Sequence, residues 1–290
     1  MTCKNYKHFL WIQFVLIFSL LETWGVSNSF IQAQSVTVGR ATVSVYNEVC
    51  YGIWRDFGVT QRLYENVGAS QGIDVQVNVD KWTITGDFAA SGGVASHTIL
   101  PIRNFSTAGW FGSSEVNIGT ICRVWRNLTD EWEIGVGGSL SNFVMVSNFS
   151  KFGNASFALS DLFQPELTAM ARYTLPNRES MAVLPSWLTV YGLLRVAPIG
   201  LAYRPGFATI DNFTASAKAS ECLFSSYETA ASYIPLVGCE LGLKFNLRSG
   251  NRIGMAYRWT ARSTRGASTS PQLDFVLHSL KVDFDMVIKR

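Results

Sequence analysis

The last quarter of the chain, Val237 to Ile288, alternates with a two-residue period through three successive segments. In the first, Val237, Cys239, Leu241, Leu243 and Phe245 alternate with Gly238, Glu240, Gly242, Lys244 and Asn246. In the second, Ile253, Met255, Tyr257, Trp259 and Ala261 alternate with Arg252, Gly254, Ala256, Arg258, Thr260 and Arg262. In the third, Leu280, Val282, Phe284, Met286 and Ile288 alternate with Lys281, Asp283 and Asp285. A β-strand sends successive side chains to opposite faces, so each segment reads as a strand with one apolar face and one small or charged face. Three such strands in a row need a sheet that separates two unlike environments.

The same pattern recurs upstream. Ser35–Tyr46 and Tyr51–Thr60 read as strands, as does Ile73–Thr85. There Ile73, Val75, Val77 and Val79 alternate with Asp74, Gln76, Asn78 and Asp80 before the phase slips near Lys81, which predicts a bulge. Val116–Arg126 and Glu131–Leu140 flank a tight-turn sequence, Asn127-Leu128-Thr129-Asp130. Leu167–Leu175, Trp187–Val196 and Ile199–Thr209 are further strands. Asp87–Leu100 is Gly- and Ala-rich, Asn142–Ser160 reads as strand margins around a loop, and Glu221–Tyr233 is mixed in character. Arg248-Ser249-Gly250-Asn251 is a turn, and Ser263–Gln272 a polar loop. The total is about twelve strands, within 10–14, and bacterial membrane barrels use even strand numbers.

The N-terminus has the grammar of a secretory signal. Lys4 and Lys7 precede an apolar run, Phe9–Leu21, that is shorter than the about 20 residues a spanning helix needs. Cleavage is expected after Ala33, with Ser27 as the other candidate, dividing the chain into a signal peptide (1–33) and one domain (34–290). The longest later apolar window, Met181–Leu201, is broken by Pro185, Arg195 and Pro198. Strands closed into a barrel are the other structure that satisfies every backbone group inside lipid. The small and charged alternate face suits a barrel lumen. Trp132, Trp187, Tyr191, Tyr257 and Trp259, near strand ends, suit the membrane interface. Charged residues are only 16% against roughly 25% in soluble domains. The expectation is a single antiparallel closed transmembrane β-barrel in the bacterial outer membrane, porin-like in build; a soluble secreted β-sandwich also alternates and is the competing fold.

Two stretches and the closing strand carry a resemblance. The leader ends in Gln32-Ala33-Gln34, and Leu194-Arg195-Val196-Ala197-Pro198-Ile199-Gly200-Leu201-Ala202-Tyr203 precedes the amphipathic final strands. These resemble outer-membrane β-barrels of the Bacteroidetes, and more narrowly an uncharacterised family among them. The resemblance implies an outer-membrane barrel. The chain departs from the usual terminal aromatic of such strands, because its last aromatic is Phe284.

Chemistry has few carriers. His97 and His278 are the histidines beyond the leader. Each neighbouring hydroxyl (Ser96, Thr98, Ser279) lies one residue away in a strand, on the opposite face, so no local dyad forms. Cys50, Cys122, Cys222 and Cys239 are too widely spaced for a compact metal site and are expected as free thiols. No phosphate-binding glycine loop, HExxH or nucleophile elbow is present. A net charge of +3 without a basic block argues against nucleic acid. The expectation is therefore a protein without catalytic residues, metal or cofactor. Its role would be structural or binding, or that of a minor channel; a lipid-modifying enzyme using His97 or His278 is the alternative. Its partners are outer-membrane lipid and a small solute or envelope protein.

Arg252, Arg258 and Arg262 share one strand face as a basic ladder. Glu240, Lys244, Asp283 and Asp285 occupy the same face of the flanking strands. These seven residues form the candidate lumen charge network. N-terminal sequencing of the exported protein is expected to begin at Gln34; an intact Met1 overturns the cleavage reading.

Overall fold

Alternation dictates extended chain, and extended chain dominates the computed structural model. It describes residues 38–56, 63–96, 107–129, 131–148, 157–175, 188–203, 228–229, 235–247, 249–265 and 272–288, all within one unit, Val38–Arg290. The leader, His97 and Cys222 lie outside these residues. The strands are β1 (Val38–Asp56), β2 (Leu63–Val79), β3 (Trp82–Ser96), β4 (Thr107–Arg126), β5 (Trp132–Asn148) and β6 (Phe157–Thr174). They continue with β7 (Leu188–Ala197), β8 (Leu201–Tyr203), β9 (Glu228–Thr229), β10 (Leu236–Asn246), β11 (Arg252–Ser263) and β12 (Leu273–Ile288).

Each strand pairs antiparallel with its neighbours, β1 pairs with β12, and β5–β6 closes the ring. Closure leaves no open edge and excludes a two-sheet sandwich. Among the described residues the ring has ten strands rather than about twelve. β7 and β8 pair with the same edge of β6, at Leu167–Thr174 and Asp161–Phe163, so they are one stave interrupted at Pro198. Proline cannot donate to a ladder, and the sequence reads this interruption as two strands. Of Glu221–Tyr233 the described residues are β9, an outer strand on β8. The phase slip at Lys81 is a chain reversal rather than a bulge: Val79 pairs with Trp82 across a two-residue turn. Asp80 there takes a left-handed φ of 53°, which Asp tolerates better than most residues. The turns at 127–131 and 247–251 form where the sequence places them, the second with Gly250 at φ 88°.

The ring is strongly staggered. The row of opposite partners from Tyr51 runs through His278, Trp259, Cys239, Leu194, Ala169, Val136, Cys122, Trp82 and Val79. It returns to β1 at Val38, 51 − 38 = 13 residues lower, one of them the bulged Gly39. Such a stagger tilts the strands by roughly 40° in a ring of this size.

Outward faces are apolar. Leu241 and Leu280 are 63% and 65% exposed, beside Val45, Ile73, Ile118, Leu140, Leu167 and Val282, so these residues face a medium outside the protein rather than a core. Trp82, Trp125 and Trp132 ring the end that carries the short turns and both described chain ends, and the Trp132 ring packs at a tilt against Tyr173, with centroids 4.7 Å apart. Tyr51, Tyr257, Trp259 and His278 lie together on the outer wall further up. This is the aromatic-bounded apolar band of a barrel in lipid. Several strands run past it: β1, β4 and β6 have 19, 20 and 18 residues, where about 10 suffice to span. The surplus raises the wall at the long-loop end.

Leu241, at the middle of β10, and Ile288, at the end of β12, separate depth from chemistry. Leu241→Arg is expected to cost about 2–4 kcal/mol in lipid vesicles and Ile288→Arg about 0–1 kcal/mol, read by denaturant unfolding. Equal costs would overturn the placement of the band.

Candidate functional site

Inward positions hold what the outer wall excludes. At the short-turn end, Lys244 Nζ reaches Asp285 (2.8 Å) and Asp283 (3.1 Å), Arg252 Nε lies 3.0 Å from Asp285, and the Ser44 hydroxyl donates to Asp285 (2.6 Å). One layer further in, Glu240 accepts from Arg258 (2.8 Å), from the Tyr191 hydroxyl (2.7 Å) and from Lys281 (3.4 Å). Arg258 also meets Glu48 at 3.0 Å. Above that, Arg262 pairs with Glu115 at 2.7 Å, and Arg195 lies 3.4 Å from Glu115 and 3.6 Å from Glu166.

All seven sequence-designated residues thus face the lumen. Arg252 and Arg258 meet acids of the flanking strands, but Arg262 does not. Its partner Glu115 is on β4, five staves from β11 in either direction round the ring, so this pair is a strut across the lumen. Glu48, Glu115, Glu166, Arg195 and Lys281 were not singled out from sequence. Their signal was parity: Glu115 shares a face with Asn117 and Gly119, opposite Val116 and Ile118. Tyr191, expected at the membrane interface, points inward to Glu240, and Trp187 lies outside the described residues.

Glycines on the inner face make room for these groups. A Cβ on Gly242 would sit 2.6 Å from the Tyr191 ring, and one on Gly254 would collide with the Asp283 carboxylate. Glycine at these two positions is therefore a packing requirement of the large polar neighbours.

Towards the long-loop end the filling changes. Trp54, Tyr64, Phe111, Phe143, Met145, Leu162, Leu273 and Phe275 form a buried apolar cluster inside the ring. Arg262 joins the two zones, its guanidinium 4.1 Å over the Phe143 ring. Beside the strut lies a small void of about 50 Å³, bordered by Glu48, Arg195 and Arg258 on one side and by Phe111 and Phe275 on the other. On the other side, a cavity of about 340 Å³ opens at the short-turn end and extends inward to Arg195 and Arg258. Arg40, Lys81, Arg123 and Arg126 line its mouth.

His278 is on the outer wall, its Nδ1 2.5 Å from the Tyr257 hydroxyl, while the adjacent Ser279 points inward and is buried. Cys50, Cys122 and Cys239 are free thiols. Among the described residues no group of three His, Cys, Asp or Glu side chains could hold a metal ion.

No family model matches the chain, and no curated protein sequence matches it. Solved structures do. The outer membrane protease OmpT of Escherichia coli aligns over 89% of this chain and 99% of its own, with a TM-score of 0.50 at 6% identity. The translocator domain of the autotransporter NalP of Neisseria meningitidis covers 93% and 96% of the two chains, with a TM-score of 0.37 and 10% identity. Neisserial surface protein A covers 84% and 96%, with a TM-score of 0.36 and 8% identity. At these identities the likeness is one of fold. The first of these folds, with the closed ring and its apolar belt, makes the chain an outer-membrane β-barrel; in such barrels short turns face the periplasm and long loops the outside, and the two ends are called periplasmic and outer on that rule.

Proposed function

We propose that this protein is a non-conducting outer-membrane barrel whose periplasm-facing lumen has a binding and structural role. The observation that carries this reading is the Arg262–Glu115 strut, which crosses the lumen between opposite staves and is capped by the aromatic cluster. A solute entering from the periplasm meets Arg258, Arg195 and then the strut. Among the described residues, ion pairs at 2.7–3.0 Å and close-set aromatic rings surround a void of about 50 Å³ at the strut. A channel needs continuous water, and this lumen is filled at two successive levels by different chemistry. The leader, cleaved on export, delivers the chain to the envelope.

The charge network serves as lumen filling that ties the staves together. Glu240 is its hub, because it accepts from β7, β11 and β12 at once. The enzyme reading has less support: His278 faces outward with a tyrosine for partner, away from every carboxylate of the lumen.

Planar-bilayer recording is expected to show a silent wild-type protein. The triple change Glu115→Ala, Arg262→Ala, Phe143→Ala is expected to admit current while keeping heat-modifiable gel migration. A wild-type protein with steady open conductance overturns the reading. Glu240→Gln is expected to destabilise the barrel by about 2–3 kcal/mol, below the 3–5 kcal/mol of a dry buried pair because cavity water wets one side. Tyr191→Phe, which removes one neutral donor, is expected to cost about 1 kcal/mol. Denaturant unfolding in detergent measures both, and a neutral Glu240→Gln would remove the network's structural role.

A further inference from the structure

We propose that the periplasm-facing vestibule is a binding site for a small multiply charged anion, bearing phosphate or carboxylate groups, held by Arg40, Lys81 and Arg123. The proposal rests on the reading of this end as a closed-ended vestibule. Its basis is how charge is distributed over the wall. The deep cations are all engaged by acids: Arg258 and Lys281 by Glu240, Lys244 and Arg252 by Asp285, Arg195 by Glu115 and Glu166. Apart from Asp80 at the mouth, the other acids that face the cavity have partners, a cation for Glu133 and neutral donors for Asp87 and Asp74. Glu133 is held by Arg172 (2.7 Å), Asp87 accepts from Tyr46 (2.8 Å) and Asp74 from Gln76 (2.6 Å). Among the described residues Arg40, Lys81 and Arg123 make no ion pair.

These three cations occupy one arc of the mouth. Arg40 is on β1, Lys81 in the β2–β3 turn and Arg123 on β4. The Arg123 backbone N–H donates to the Lys81 carbonyl at 2.8 Å, which sets the two residues side by side. Asp80 is the acid in the same turn, and Asp74 and Asp87 lie deeper on β2 and β3, so the rim itself carries three cations against one carboxylate. Irregularities of the wall add to this charge. The β4–β5 register shifts between Arg123 and Trp125. Unbroken alternation would aim Trp125 into the lumen and Arg126 at lipid; the bulge reverses both, and Arg126 joins the cavity lining. The β1–β2 register likewise shifts between Val38 and Arg40, leaving Val38 opposite the outward Val79 while Arg40 lines the mouth.

Like charges gathered in one aqueous mouth repel one another, and an anion placed between them removes that cost. The Thr85 hydroxyl and the second amide N–H of Gln76 and of Asn78 line the same arc and offer neutral hydrogen bonds. A cavity of about 340 Å³ is at the small end of ligand sites, which fits a compact organic anion and not the interior of a polymer. The anion can be a free periplasmic solute or the charged end group of an envelope component.

Titration calorimetry on the detergent-solubilised full chain tests this with pyrophosphate and with citrate as probes, and with anionic against zwitterionic phospholipid in nanodiscs for the tethered source. Saturable binding of at least one free probe, weakening as salt rises, is expected. Arg40→Ala/Lys81→Ala/Arg123→Ala is expected to weaken it more than about tenfold. Arg55→Ala/Arg265→Ala, which removes charge at the outer end, is expected to leave it unchanged. Binding confined to anionic nanodiscs and lost in the triple variant assigns the anion to a lipid headgroup. Absence of saturable binding to every probe, or binding that the triple variant retains, overturns the proposal. Heat-modifiable migration of each variant shows that it has folded. Bilayer conductance judges the closed lumen separately: an open wild-type pore would remove that reading while leaving the calorimetry to decide the anion site.

Discussion

Pairing β5 with β6 is the interaction on which the rest of the molecule depends. Without it the sheet has two edges of unpaired N–H and C=O groups, which lipid cannot satisfy. With it the ladder is continuous, and the chain acquires an interior it must fill. Ten strongly tilted strands enclose a lumen too wide for small side chains alone and narrow enough for an arginine to meet a glutamate on the opposite wall. The Arg262–Glu115 strut follows from that diameter.

The lumen is filled by two materials, and their order along the axis has a physical reason. A dry ion pair repays its desolvation only with near-ideal geometry and further hydrogen bonds. The charged layers lie beside the periplasmic cavity, where water reaches one side of the network and lowers that cost. Glu240 has three protein donors, and Asp285 is held by Lys244, Arg252 and Ser44. Further out the strands rise past the lipid belt, and the inward side chains pack against one another instead of lining a cavity. There the lumen is closed by Trp54, Phe111, Phe143 and Phe275, which need no partner for a charge. Arg262 can stand at the boundary because a carboxylate holds one edge of its guanidinium while an aromatic face covers its plane.

Much of the wall was legible in the sequence, because alternation is local. From Val237 to Ile288 every apolar residue of the alternating pattern faces out and every residue between them faces in. The strand count was less legible. Pro198 looks like a strand boundary, yet the chain resumes pairing with the same neighbour after it, which only β6 reveals. The slip at Lys81 has the parity of a bulge, and two residues suffice to reverse the chain when one is an Asp with a left-handed backbone. Strand ends were also underestimated. Tyr51–Thr60 and Asn142–Ser160 looked like separate or loop-like pieces because above the lipid belt the outer face no longer has to be apolar, so the pattern that marks a strand fades while the hydrogen bonds continue.

The lumen was legible only in part, for a related reason. Parity says which residues point inward, but partners across a lumen depend on stagger and diameter. Those are properties of the whole ring and not of any segment. Flanking acids could be named for Arg252 and Arg258 because neighbours in a hairpin are fixed by its turn. Arg262 and Glu115 are 147 residues apart, 262 − 115, and become partners only after every strand between them has taken its register. The same logic governs the vestibule. Arg40, Lys81 and Arg123 are scattered in sequence, and a bulge of one residue decides whether Arg126 faces lipid or lumen. A charge whose direction hangs on a bulge carries no periodic signature. The part of this barrel that meets the periplasm is thus the part that sequence periodicity describes least.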